Sequence, residues 1–398
     1  MNSDDKDLFD YVRTIEVTSF PLLSKILDKY EFKYISFQDL LKHIIEKENI
    51  LLIDSRSENE YNESHIFETL NFPVLSNHER HNVGLIYKKY SKKAALYLAI
   101  EYANPKIKSL ERFLIENQAS DKQIIIYCWR GGGRSKYLAK LVYDCGFSPV
   151  LIQGGFKSFR KTVFDYFNQK KFPYQLIELT GLTGSGKTEL LNSVSNYFPI
   201  IDLEDSAKHF SSLFGFIPYK ISNIEPVPNQ SAFENNIYIS IINVIKKFGN
   251  PEYLLVESES KKIGNFLIPE NLFEKMVSAK CIKIECSLDN RVQRIYKNYF
   301  GKNDSGIIEI IKIFKLKERY FRKELSNKIY NYLIIELQKG NTKSFIETML
   351  IDFYDKKYKD KGKQPILTLN TDSIEIATEK LSSFLKNNEN MLKSSEHN

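Results

Sequence analysis

The chain reads as two α/β domains in tandem, each a parallel sheet covered on both faces by helices. Three observations carry that reading. Short apolar runs, at Leu51–Asp54, Ile124–Tyr127, Leu176–Thr180 and Tyr253–Val256, alternate with longer amphipathic stretches. Glycine-rich loops follow two of those runs, at Gly131–Gly133 and Gly181–Gly186. A polar, charged stretch from Asn168 to Lys171, followed by Pro173, separates the two patterns. A length of 398 residues suits two to three domains with ample core.

Composition narrows the class. Apolar residues make up 42% of the chain, and no run approaches the length of a membrane span. Met1 to Asp10 is acidic and polar, so no secretory signal is expected. Cys128, Cys145, Cys281 and Cys286 show no disulfide spacing, which suits a reducing cytoplasm. The net charge of +7 permits a nucleic-acid partner without requiring one.

In order, residues 1–31 read as an extension: a polar leader, then a short helix over Phe20–Lys29. The first domain is expected over 32–168. Its strands fall at Phe32–Ile35, Leu51–Arg56, Leu70–Pro73, Ile124–Tyr127 and Pro149–Ile152. Helices are expected over Phe37–Lys47, Glu58–Glu63, Lys88–Glu116, Arg134–Cys145 and Ser158–Phe167. Residues 169–175 form a linker and 176–387 the second domain, with strands at Leu176–Thr180, Ile200–Leu203, Tyr253–Val256, Ile282–Cys286 and Pro365–Leu369. Residues 388–398 read as a disordered tail.

Cys128 ends a buried strand and faces the start of a helix. Backbone N–H groups of a glycine-rich loop make an anion nest, and the helix N-terminus adds roughly half a positive charge. With Arg130 and Arg134 nearby, the setting favours a thiolate, the nucleophilic form. A plain core cysteine is the competing reading. It explains neither three consecutive glycines nor two arginines.

The second loop, Gly181-Leu-Thr-Gly184-Ser185-Gly186-Lys187-Thr188, fits G-x-x-x-x-G-K-[ST] between a strand and a helix. Its backbone N–H groups suit phosphate oxygens, Lys187 supplies a point charge and Thr188 suits Mg²⁺. The loop indicates a diphosphate or triphosphate and says nothing about hydrolysis. Glu257 and Glu259 fall at the carboxyl end of a strand, where open α/β sheets bind ligands, so a metal or a substrate hydroxyl competes with a solvated strand end. Arg291 and Arg294 share a helix face and suit a phosphate clamp or, as readily, solvent. Cys281 and Cys286 fall on opposite faces of a strand, so no shared metal is expected. The run Lys312–Lys323 sets basic residues among Phe314, Tyr320 and Phe321; it suits RNA, although a charged helix over a core is the commoner use of such a pattern.

The first half resembles a rhodanese domain, through Leu52-Ile-Asp54-Ser-Arg56, Glu60-Tyr61, the His65-Ile66 turn, the cysteine loop and Gly154-Gly155. Usual rhodaneses carry Gly before that His and Pro-Gly-Ala after the Ile, where this chain has Ser64 and Phe67-Glu68-Thr69. A rhodanese-like parallel-sheet domain followed by a P-loop NTPase/kinase-like α/β domain is similar to the tRNA 2-selenouridine synthase family. Cys128-Trp-Arg-Gly-Gly, Gly84-Leu-Ile-Tyr87-Lys88 and Gly154-Gly155-Phe156-Lys157 match its pattern. So do Gly181–Leu191, Asp202-Leu203-Glu204, His209, Phe233-Glu234-Asn235, Glu257 and Glu259-Ser260. Gly133 stands where the family usually has Met, and Phe210-Ser211 where it has Arg-Gly.

The resemblance implies a transferase acting on wobble 2-thiouridine of tRNA. Geranyl diphosphate alkylates the sulfur, and the geranylthio group is then displaced using selenophosphate. Cys128 is implied to act covalently, with Arg130 and Arg134 on the phosphate. Gly181, Gly184, Ser185, Gly186, Lys187 and Thr188 hold the diphosphate. Glu204, His209, Glu234, Asn235, Glu257, Glu259, Arg291 and Arg294 form a candidate second site. No tightly bound cofactor is expected, and Thr188 is a candidate ligand for Mg²⁺; tRNA and a selenophosphate-supplying enzyme are the implied partners. Because Arg134 follows Cys128 by six positions, a rhodanese-fold cysteine phosphatase or sulfurtransferase fused to a kinase-like domain stays open, as does an inactive scaffold.

Overall fold

The structure, a computed structural model, describes residues 3–15, 20–301, 305–358 and 362–388. The chain divides into two compact units, Met1–Phe164 and Asp165–Asn398. The first contains α1 (Ser3–Thr14), α2 (Leu23–Ile26), β1 (Lys33–Ile35), α3 (Phe37–Ile45), β2 (Ile50–Asp54), α4 (Glu58–Glu63) and β3 (Thr69–Asn71). It continues with α5 (Asn77–Lys89), α6 (Lys92–Ala103), α7 (Ile107–Glu116), β4 (Gln123–Tyr127), α8 (Gly133–Asp144) and β5 (Val150–Ile152). The helix α9 (Phe156–Phe167) runs across the division between the units.

Its sheet has the order β1-β5-β4-β2-β3, all parallel. β2 and β4 lie inside the sheet and are buried along nearly their whole length, which their unbroken Ile/Leu runs require. Capping boxes start α4 (Ser57 with Glu60) and α5 (Ser76 with Glu79). These fix two of the segments that shape the first site.

Two expectations are corrected here. The single helix expected over Lys88–Glu116 is three. Ser91 caps α6 by accepting from the Ala94 N–H, and Pro105, which has no N–H to donate, sits in a 3₁₀ turn before α7. The leader is not featureless: α1 is amphipathic, and its Phe9 and Val12 are buried against Ile86, Ala94 and Leu98. Of the tail expected over 388–398, residues 389–398 lie outside the described residues.

The second unit contains β6 (Gln175–Thr180), α10 (Lys187–Val194), β7 (Ile200–Ile201), α11 (Leu203–Ala207), α12 (Ile217–Ile221), α13 (Gln230–Phe248) and β8 (Tyr253–Glu257). A short antiparallel hairpin, β9 (Lys262–Ile263) and β10 (Phe266–Leu267), precedes α14 (Glu270–Val277), β11 (Lys280–Glu285) and α15 (Leu288–Tyr299). Then come α16 (Ser305–Leu316), α17 (Glu318–Gln338), α18 (Thr342–Met349), a π turn at Leu350–Tyr354, α19 (Asp355–Lys357), β12 (Pro365–Asn370) and α20 (Ile374–Asn387).

Its sheet, β12-β11-β6-β8-β7, is also all parallel, with β6 in the middle. The strand expected to reach Leu203 stops at Ile201, because Asp202 caps α11 by accepting from the Asp205 N–H at 2.7 Å. Cys281 is buried on β11, while Cys286 lies just past that strand. In the basic run, Phe314 and Phe321 are fully buried and stacked with ring centres 4.1 Å apart. They are core, so base stacking is not open to them.

Candidate functional site

In the first unit β4 delivers Cys128 to the carboxyl edge of the sheet, with the thiol almost wholly buried. The Gly132 N–H, at the start of α8, donates to Cys128 Sγ at 3.2 Å, and Ser135 Oγ is in hydrogen-bond contact with it at 3.3 Å. The loop is clasped from behind. Phe156 N–H donates to Cys128 O at 2.8 Å and Lys157 N–H to Trp129 O at 3.0 Å. This clasp demands glycine at 155. Its φ is +59°, and a Cβ there would stand 2.2 Å from Cys128 O and 2.6 Å from Gly131 N.

The structure divides the two arginines expected beside the thiol. Arg130 is exposed. Arg134 donates to Glu60 at 2.5 and 3.2 Å, and Arg80 reaches the same carboxylate at 3.0 Å. Burial pushes the Glu60 carboxyl up, but the two guanidiniums outweigh it and hold the group below its ordinary value. Glu60, which the sequence offered only as part of a resemblance, therefore positions Arg134.

Beneath the loop, the Arg56 guanidinium is 1% exposed. Its Nε donates to Asp54 at 2.9 and 3.1 Å, its Nη2 donates to Asp54 at 2.6 Å and to Ser64 O at 2.7 Å, and its guanidinium carbon lies 4.0 Å from the Phe156 ring centre. A cleft of about 940 Å³ opens beside Cys128, between the cysteine loop and the helices α5 and α6.

In the second unit the loop after β6 lines a cleft of about 820 Å³. Gly181, Gly184, Ser185, Gly186, Lys187 and Thr188 all face it. Lys187 Nζ donates to Gly181 O at 3.0 Å and Leu182 O at 3.3 Å, folding over the loop. Opposite stand Glu204, Glu257 and Glu259, all buried, with one carboxylate oxygen of each within 4.8 Å of the others. Thr188 Oγ1 donates to Glu257 Oε2 at 2.8 Å and also reaches Glu204 Oε2 at 3.4 Å. Glu257 Oε1 is buried with no hydrogen-bond partner among the described residues.

Burial and then the Glu259 charge push Glu204 up to about 8; burial and then Glu204 push Glu257 well above the carboxylate range. Three buried carboxylates, one with an unsatisfied oxygen, beside a threonine hydroxyl form a hard-oxygen set that fits a divalent cation such as Mg²⁺.

Other expected members of this site separate. Arg294 lines the cleft, donating to Glu189 Oε2 at 2.8 Å and to Cys286 Sγ at 2.9 Å. Arg291 does not. It is buried, bidentate to Asp355 at 2.9 and 2.6 Å, and donates to Thr183 O at 2.8 Å, so it braces the phosphate loop from behind. Glu234 and Asn235 lie on α13, away from the cleft lining. His209 packs against Gly264, where a Cβ would come within 2.8 Å of the imidazole; burial lowers its pKa. The sequence reading missed the rest of the wall: Phe210, Tyr299, Phe300, Ile346 and Met349 give the cleft a hydrocarbon side next to its phosphate loop.

A family model described as the tRNA 2-selenouridine synthase AAA domain matches residues 174–378, and a rhodanese-like domain model matches residues 37–162. The chain belongs to the tRNA 2-selenouridine synthase family. Among its curated relatives is the tRNA 2-selenouridine synthase of Nitrosomonas europaea, 31% identical over 250 residues that cover 62% of this chain and 63% of the relative. That of Shewanella frigidimarina is 32% identical over 255 residues, covering 63% and 66%. That of Shewanella sediminis is 29% identical over 331 residues, covering 77% and 86%. The matches with the first two thus span a little under two thirds of those relatives' lengths. The family's two-domain order is the order of the two clefts described above. Among the described residues, no helix is long and apolar enough to cross a membrane.

Proposed function

We propose that the chain converts wobble 2-thiouridine of tRNA to 2-selenouridine through an S-geranylated intermediate, using geranyl diphosphate and selenophosphate. One observation supports this above the others. The cleft of the second unit joins a diphosphate-binding loop to a wall of Phe210, Tyr299, Ile346 and Met349. A prenyl diphosphate uses both parts, the loop for its diphosphate and the wall for its hydrocarbon chain.

In this reading the loop N–H groups and Lys187 hold the diphosphate, and thiouridine sulfur attacks the first carbon of the chain as the carbon–oxygen bond breaks. Thr188, Glu204 and Glu257 would hold a divalent cation, which supplies charge neutralisation for the leaving diphosphate.

In the first unit the Cys128 thiolate attacks phosphorus of selenophosphate. The phosphorus–selenium bond breaks, hydrogen selenide leaves, and water later releases the phosphoryl group as phosphate. Selenium is already fully reduced in selenophosphate, so this route needs no further reductant. Hydrogen selenide then bonds to C2 of the base and geranylthiol departs. Arg134 and Arg130 line the cleft beside Cys128, which supports assigning them to the phosphoryl group.

The test is nucleoside mass spectrometry of wobble-thiolated tRNA incubated with the protein, geranyl diphosphate and selenophosphate. The expected product is 2-selenouridine, with S-geranyl-2-thiouridine accumulating when selenophosphate is left out. Unchanged thiouridine in both samples would overturn the reading. Cys128→Ser should stop at the geranylated nucleoside, and Lys187→Ala should not reach it.

A further inference from the structure

One buried hydroxyl beside Cys128 takes no part in the reaction proposed for this site. Ser135 stands in the first turn of α8 and is 0% exposed. Its Oγ lies 3.3 Å from Cys128 Sγ and 3.1 Å from Gly132 O. A serine hydroxyl carries a single proton, so it donates to one of these two atoms at a time. A bond from a helical serine back to the carbonyl three residues earlier is a common local arrangement. Here, however, that carbonyl is already supplied, because the Lys136 N–H donates to Gly132 O at 3.2 Å. The hydroxyl can therefore turn to sulfur without orphaning the carbonyl it leaves.

What the hydroxyl does follows from the state of the sulfur. A thiol donates to Ser135 Oγ, and the hydroxyl donates onward to Gly132 O. A thiolate has no proton and accepts two hydrogen bonds, one from the Gly132 N–H at 3.2 Å and one from Ser135. Sulfur bonded to phosphorus is a weak acceptor, like a thioether, and the hydroxyl falls back to Gly132 O. The bond from Ser135 to sulfur is thus strongest when sulfur carries negative charge. An interaction that is stronger in a transition state than in the state before it speeds that step. Charge leaves sulfur when it attacks and returns when it departs, so Ser135 assists departure and not attack.

We propose that Ser135 is a catalytic residue for the step that frees Cys128 at the end of each cycle. In that step a water oxygen bonds to phosphorus of the phosphocysteine and the phosphorus–sulfur bond breaks. Its electron pair returns to Sγ, and the proton from water passes to solvent with the release of phosphate. The Ser135 hydroxyl swings from Gly132 O to Sγ as that charge develops, and joins the Gly132 N–H already there. The role differs from that of Arg134, whose guanidinium is held by Glu60. The proposal rests on the attack of Cys128 on phosphorus given above.

The test is rapid-quench kinetics of the full-length protein with selenophosphate and an anticodon stem-loop RNA carrying S-geranyl-2-thiouridine. Nucleoside mass spectrometry reads the product, and the intact-protein mass reads what Cys128 carries. Ser135→Ala should form its first equivalent of 2-selenouridine at the wild-type rate. It should then release phosphate about ten- to a hundredfold more slowly, the usual worth of a hydrogen bond to a charged partner, while a phosphoryl adduct builds up on Cys128. Ser135→Thr keeps the hydroxyl and should turn over as the parent does. Urea unfolding followed by Trp129 emission checks that both variants are folded. If Ser135→Ala slows the first and later turnovers alike and no adduct forms, Ser135 only shapes the loop and the proposal is overturned. Unchanged turnover in Ser135→Ala would overturn it as well. A selenium adduct accumulating on Cys128 in place of the phosphoryl one would refute attack at phosphorus and leave Ser135 as the donor to departing sulfur.

Discussion

The ion pair beneath the cysteine loop offers the sharpest test of how the first site is held. Arg56 and Asp54 are 1% and 0% exposed, and five hydrogen bonds tie Arg56 to Asp54 and to Ser64 O. Asp54→Ala removes the carboxylate and leaves a guanidinium buried with one carbonyl and the Phe156 ring. Breaking one side of a buried pair costs about 3–5 kcal/mol, because the remaining charge is dry and uncompensated. With a urea slope of about 2 kcal/mol per M, the midpoint should fall by roughly 1.5–2.5 M.

Trp129 emission makes the assay specific to the first unit, since the second contains no tryptophan. The partner experiment is Asp54→Leu with Arg56→Met, which removes both charges and keeps the volume. It should recover to within about 1 kcal/mol of the parent. A loss below about 1 kcal/mol for Asp54→Ala would mean that water reaches Arg56. A double variant no better than the single would mean that the pair is needed for shape and not for charge. Either result refutes the argument.

Three further outcomes are expected. Gly155→Ala forces a Cβ to 2.2 Å from Cys128 O at a φ of +59°, so the cysteine loop should open, seen as faster alkylation of Cys128 and altered Trp129 emission. Glu60→Gln should destabilise the first unit at pH 7, and the gap to the parent should close as pH falls below 4.5. Glu60 titrates below that ordinary value when folded, so its contribution is present above the unfolded value and is lost as the folded group protonates. Arg291→Lys should weaken diphosphate binding measured by calorimetry, although Arg291 does not line the cleft, because a lysine cannot hold Asp355 bidentately and Thr183 O at once.

What the sequence made legible was whatever a local pattern determines. The Ile/Leu runs of β2 and β4 lie in the interior of a sheet and say so. The glycine-rich loop and Lys187 occupy the place that strand–loop–helix spacing demands. What stayed hidden depends on partners far away in the chain. Nothing near Arg134 announces Glu60, which lies 74 positions earlier. Nothing near Arg291 announces Asp355, 64 positions later, which turns an expected phosphate clamp into a brace. The hydrocarbon wall of the second cleft draws on α15 and α18, and each alone looks like ordinary core. In α1, Phe9 and Val12 are buried, with Leu8 packed beside them, in a core that arrives with α5 and α6.

The clasp on the cysteine loop also sets a timetable. Cys128 and Trp129 receive their backbone partners from Phe156 and Lys157, and β1 finds its one sheet neighbour in β5. The first unit therefore cannot close until the chain has been made past residue 157. At synthesis rates of about 5–20 residues per second, Cys128 emerges roughly 1–6 s before its clasp does. For those seconds the thiol lacks its backbone clasp and meets oxidants as an ordinary cysteine. Afterwards it is 4% exposed. Newborn chains, and not finished ones, are where oxidative damage to this cysteine would concentrate.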